Sequence, residues 1–127
     1  MAQAEALPEL LLPLLSTDDA AVEVRSSPAR RCIATVTPLA AALGVEVLED
    51  DALVERADVS VLHRRIRTLT STNVWSSHGD VIPELLMLVA RRGVDLGEDP
   101  TCRKGSTWVL DVADGRVAAA RHLPPPG

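Results

Sequence analysis

The sequence predicts an α/β domain in which helices cover a mostly parallel sheet that closes in a C-terminal β-hairpin. Three observations carry this expectation. Strand-like and helix-like runs alternate between residues 21 and 93, as βα units do and as bundles or sandwiches do not. Two β-rich runs then follow one another directly, joined at Asp114-Gly115, a strong hairpin signal. Finally, 127 residues with 46% hydrophobic side chains suffice for one buried core. Phe and Tyr are absent and Trp75 and Trp108 are the only aromatics, so that core must be packed from Ala, Val and Leu.

The elements follow in order. Residues 2–15 read as an amphipathic helix with a break at Pro13. Glu5 and Glu9 interrupt its apolar run and it lacks a basic start, which separates it from a signal peptide. AVEVRSS (21–27) reads as a strand, and PARRCIATVTPLAAALG as a helix opened by Ser27 and Pro28 and stopped by Gly44. Ala29, Cys32, Ile33, Val36, Leu39, Ala40 and Leu43 recur at helical spacing and predict its buried face. Pro38 bends that helix without ending it. VEVLED (45–50) is a second strand, DDALVERAD a loop or short helix, and VSVLHRRIRTL a basic helix whose His63, Arg64, Arg65 and Arg67 read as a solvated face. TNVWSS (72–77) is a third strand. DVIPELLMLVARRG is a helix stopped at Gly93, with Asp80 at its N-cap position. The organisation is one domain over 1–123 with a stiff Pro-rich tail at 124–127.

A net charge of −5 disfavours nucleic-acid or membrane-surface partners, and no run is long and uncharged enough to span a membrane. Cys32 and Cys102 lie far apart and outside any CxxC or Cys/His ligand spacing. They are expected to be reduced thiols of a cytoplasmic protein, with no metal or other cofactor implied.

Chemistry is expected where strands run into helices, because ligands of open parallel sheets bind at the carboxyl ends of the strands. Two junctions carry matching polar residues: Ser26, Ser27, Arg30 and Arg31 at one, Ser76, Ser77, His78, Gly79 and Asp80 at the other. Helix N-terminal amides, an arginine fork and a histidine together suit an anion, and a phosphoryl group above all.

SSPARRCIATVTPLAAALG resembles the Ser-Ser-x-x-x-Arg-x-x-x-Thr segment of the histidine phosphatase superfamily, and SSHGDVIPELL its second-histidine segment. GSTWVLDVADGRVAAARHL is similar to the closing hairpin, particularly of the domains fused behind Nudix domains in actinobacterial proteins. The resemblance implies a three-layer α/β/α, phosphoglycerate mutase-like fold. It makes Arg31 the phosphate-binding arginine with Thr35 one turn on, His78 the second histidine on the phosphoryl oxygens beside Gly79, and Glu55 in Leu53-Val54-Glu55 the proton donor, with Asp80 in reserve. Lys104 is the expected contact to the remainder of a phosphorylated small molecule or nucleotide.

Family members also carry an Arg-His-Gly or Arg-His-Ala strand bearing the nucleophilic histidine, and that triplet does not occur in this sequence. The first central strand of the sheet is therefore expected to be lacking, through a misplaced start or a deletion, leaving sheet edges through which two copies could pair. Three readings stay open: a metal-independent phosphatase acting through a phosphohistidine when that strand is supplied, a non-catalytic phosphate-binding or interaction module, and a gene fragment without function.

Overall fold

The structure is a computed structural model that describes residues 7–9, 11–14, 22–69, 72–97 and 107–123. Its sheet forms where β-branched residues fall in register. Strand β1 (Glu23–Ser26) lies between β2 (Val47–Glu49) and β3 (Asn73–Ser76), parallel to both. Val24 sits opposite Val47 on one side and Val74 on the other, so three valines share one face. The next residues, Leu48, Arg25 and Trp75, take the opposite face, as the two-residue period of a strand requires.

Each face has its own apolar layer. Helix α1 (Arg30–Leu43) packs Val36, Leu39 and Ala40 on Val24, together with Leu7 and Leu11. Helices α2 (Val59–Arg67) and α3 (Val81–Arg91) cover the other face, with Leu62, Ile66, Val81, Leu85 and Val89 gathered around Leu53 and touching Trp75. Leu39 and Leu62 have no exposed surface, and burying such a side chain stabilises the fold by about 1.5–3 kcal/mol. The core is aliphatic, as the composition requires.

The predicted punctuation is visible with some shifts. Gly44 ends α1 at φ 72°, a left-handed turn, and its N–H reaches the carbonyls of Ala40 and Ala41. Pro38 lies within α1 without ending it, and Pro13 lies in a 3-10 turn, Leu12–Leu14. Helix α1 starts later than expected, at Arg30, with Ala29 at the N-cap and no side-chain cap. Ser27 is too far upstream to cap; its hydroxyl accepts the amide of Ala29, 3.3 Å away.

The closing hairpin pairs β4 (Thr107–Ala113) with β5 (Arg116–Leu123) antiparallel, with an irregularity between Asp111 and Val112. Asp114 and Gly115 both take positive φ, 55° and 74°, the geometry that lets a two-residue turn follow strand twist. Among the described residues no ladder joins this hairpin to β1–β3. The two meet through side chains instead: Val117, Leu110 and Val112 pack on the Leu62–Val89 cluster.

The basic helix departs from expectation. His63 is 4% exposed, Arg67 is half-buried, and Arg65 lies between Asp50, 2.8 Å away, and the Trp75 ring, 5.5 Å from its centroid. Of the four basic residues only Arg64 is fully exposed, because a nine-residue helix packed on both a sheet face and a neighbour has little free surface. No helix among the described residues is long and apolar enough to cross a membrane.

Candidate functional site

Parallel pairing brings the two polar junctions together. Ser26 lies opposite Ser76, and Ser27 N–H donates to the Ser76 carbonyl at 2.9 Å, so the chains leave β1 and β3 side by side. One residue further on, the Ser27 hydroxyl meets His78 Nε2 at 2.8 Å. The ring is 6% exposed. Its other nitrogen, Nδ1, faces the Arg31 guanidinium at 3.3 Å and the Glu55 carboxylate at 3.5 Å.

Arg31 can only donate. Its contact therefore requires a lone pair on Nδ1, which places the proton of the neutral ring on Nε2, donated to Ser27 Oγ. A second proton on Nδ1 would point the imidazolium N–H at Glu55. The ring is thus fixed on one side by serine and balanced on the other between a cation and an anion. Arg31 and Glu55 bond to each other at 2.8 Å, with side chains 73% and 61% exposed, so the buried histidine opens outward onto a solvated ion pair.

Three further bonds hold the loops that carry these groups. Ser76 Oγ donates to the Cys32 carbonyl at 2.9 Å, tying the first turn of α1 to β3. Ser77 Oγ donates to the Leu53 carbonyl at 2.6 Å, tying the segment that carries Glu55 to the same strand end. Asp80 accepts the Arg56 amide at 2.8 Å. Arg56 is at φ 60°, a left-handed conformation that a residue with a Cβ adopts at a cost of about 1–2 kcal/mol, and the Asp80 bond offsets part of it.

The positions of the remaining candidates follow. Asp80 occupies the N-cap of α3 without capping it: its helical φ and ψ turn the carboxylate away, and the first amides of α3 bond the His78 carbonyl instead. Gly79 lies at the surface in the turn after His78, and a Cβ there would meet nothing within 4 Å. Thr35 donates to the Arg31 carbonyl at 2.9 Å, one turn along α1. Arg30 points to solvent, and Ser26 and Ser76 are consumed by backbone bonds, so these three add nothing to an anion pocket. Lys104 and Cys102 lie outside the described residues.

Sequence reasoning did not place Cys32 at the site, yet its Sγ is 3.8 Å from His78 Nε2 and 3.6 Å from the Ser77 carbonyl. Burial pushes its thiol upward, with Arg31 pulling the other way, so it is a neutral filler behind the ring rather than a nucleophile. Its place in the apolar repeat of α1 next to Arg31 was the available signal. No group of three or more His, Cys, Asp or Glu among the described residues is arranged to hold a metal ion.

This geometry can hold a small oxyanion between Arg31, the His78 ring and the uncapped start of α1. Comparison with known proteins bears on the family. A relative from Mycolicibacterium smegmatis named 8-oxo-(d)GTP phosphatase is 32% identical over 131 residues, an alignment covering 98% of this chain. The chain spans only 39% of that protein's length. The family model of the histidine phosphatase superfamily (branch 1) matches residues 1–64, which include Arg31, Thr35 and Glu55. With half of its length matched by that model and its strands and helices in the α/β arrangement that such a fold needs, the chain belongs to the histidine phosphatase superfamily.

Proposed function

We propose that this chain supplies the phosphate-binding half of a histidine phosphatase site, with Arg31, His78 and the Gly79 turn on the phosphoryl oxygens and Glu55 as proton donor. The observation that carries this reading is the meeting of guanidinium, imidazole and carboxylate within 3.5 Å at the ends of β1 and β3. None of the chain's three histidines is free to be the nucleophile. His78 fills the oxygen-contact role, His63 is buried against α3 and β5, and His122 lies on β5 beside Trp108.

In the proposed reaction, imidazole nitrogen from an Arg-His-Gly or Arg-His-Ala strand attacks phosphorus as the bond to the leaving oxygen breaks. Glu55 gives that oxygen its proton. Glu55 then takes a proton from water, which attacks the phosphohistidine and releases phosphate. Asp80, the other candidate acid, positions the Glu55 loop through Arg56. The relative's name favours a nucleotide phosphoryl group as substrate.

Joining an Arg-His-Gly strand ahead of residue 1 should give a phosphatase whose turnover disappears with His78→Ala; unchanged turnover overturns the site. A non-catalytic phosphate-binding module is the second reading, supported by the places of the chain's own histidines, of which His78 meets Arg31 while His63 and His122 lie away from that site. The intact mass of the protein from its own cells separates the two. A mass clearly above 13.5 kDa restores the enzyme, and 13.5 kDa in a soluble species leaves the binding module.

A further inference from the structure

At the far end of α3 from His78, the last turn of α2, the end of α3 and the start of β5 surround an open cavity of roughly 390 Å3. Its polar lining is entirely basic: His63 and Arg67 from α2, Arg92 after α3, and Arg116 from β5. The apolar floor is Val89 and Val117, both buried. No carboxylate lines it, and among the described residues none of the three guanidiniums forms an ion pair.

One group has been taken out of water without compensation: Arg67 Nε is buried with no hydrogen-bond partner. His63, 4% exposed, lines the same cavity. Buried polar groups are normally satisfied, so orphans deserve an explanation. The same chain pairs its other half-buried arginines, since Arg25 and Arg65 both reach Asp50. A helix C-terminus attracts cations, which accounts for the placement of Arg67 and Arg92. It does not account for Arg116, which is on a strand, or for His63.

We propose that this cavity is a second anion site, built for a small multivalent oxyanion such as a diphosphate group and separate from the Arg31–His78 site. Helix α3, 11 residues long, sets the two apart by about 16 Å. Arg67, Arg92 and Arg116 approach the anion from three elements, and the valine floor lowers the local dielectric and strengthens each contact.

His63 is a reporter within the site. Burial, then Arg67 and Arg92, hold its imidazole below the ordinary 6.5, and a bound anion offsets those guanidiniums and moves the titration upward. The experiment is a side-chain NMR titration of the full isotope-labelled chain with and without inorganic pyrophosphate. An upward shift of the His63 titration is expected. Arg67→Gln with Arg92→Gln should weaken that response about tenfold or more, whereas Arg31→Ala should leave it in place while abolishing the response of His78. A nucleoside diphosphate in place of pyrophosphate distinguishes an esterified from a free group. A His63 titration moved by neither ligand, or a response lost with Arg31→Ala, overturns the proposal, and the unsubstituted chain alone decides the first of these.

Discussion

Replacing Glu55 by glutamine changes the charge balance of the site while keeping its shape. In the resting structure the Glu55 carboxylate holds Arg31 at 2.8 Å, the residue to which the proposed reaction assigns the phosphate. Both side chains are more than half exposed, and an ion pair so placed contributes about 0.2–1 kcal/mol. Phosphate must displace that carboxylate and then tolerate its charge nearby. Removing the charge removes the competitor, so inorganic phosphate should bind more tightly to Glu55→Gln, by roughly 1.4- to 5-fold when that energy is converted at 1.4 kcal/mol per decade. Calorimetric titration at low ionic strength measures the gain, which should shrink at about 0.5 M salt as exposed charges are screened. In a chain carrying the Arg-His-Gly strand, the same substitution should lower turnover by roughly 10²- to 10⁴-fold, the usual contribution of a positioned acid. Weaker phosphate binding by Glu55→Gln would refute the reasoning, because Glu55 would then be a ligand of the phosphate rather than its rival.

Asp80→Ala should release the Arg56 amide and destabilise the chain by about 1 kcal/mol, the net worth of one hydrogen bond, in urea denaturation. In that background the further change Glu55→Gln should no longer alter phosphate binding, an effect that a role in overall stability alone would not produce. Gly79→Ala has free space for its methyl group and should leave the melting temperature unchanged; a loss of phosphate binding in that variant would mean the anion touches the backbone there. Hydrogen bonds from Arg65, helped by the Ala52 amide and by Arg25, hold the Asp50 carboxyl below its ordinary 3.8. The unfolded chain therefore takes up this proton first on acidification, and the stability it confers is present above pH 3.8 and is lost as pH falls through the folded value. Asp50→Asn should flatten the stability curve across that acid window without steepening it elsewhere.

Much of the fold was legible because its signals are local. The alternation of valine-rich strands with Gly-stopped helices, and the Asp114-Gly115 turn, follow from backbone geometry that a few residues determine. The start of α1 was misplaced because Ser27 offers its hydroxyl to Ala29 and His78, and long-range bonding won over the local capping preference. The solvated reading of α2 failed for a related reason. A helix of nine residues looks the same in sequence whether one side or two are covered, and only the packing of α3 and β5 buries His63. At the site, Arg31 and His78 were visible as matching junctions, whereas the roles of Ser77, Asp80 and Cys32 were not. These depend on the register Ser26 to Ser76, set by strands 50 residues apart in the chain.

The junction between the hairpin and the rest of the domain has a mechanical meaning. A ladder fixes its strands by directional bonds spaced every few ångströms, whereas Val117, Leu110 and Val112 are held to Leu62 and Val89 by contact that has no preferred direction. Among the described residues no interstrand bond therefore opposes a shift of the hairpin over its apolar footing. Arg116 rides on it, so one wall of the basic cavity rests on a seam of apolar contact, while the junctions carrying Arg31 and His78 are set by the hydrogen-bonded ladder of β1 and β3.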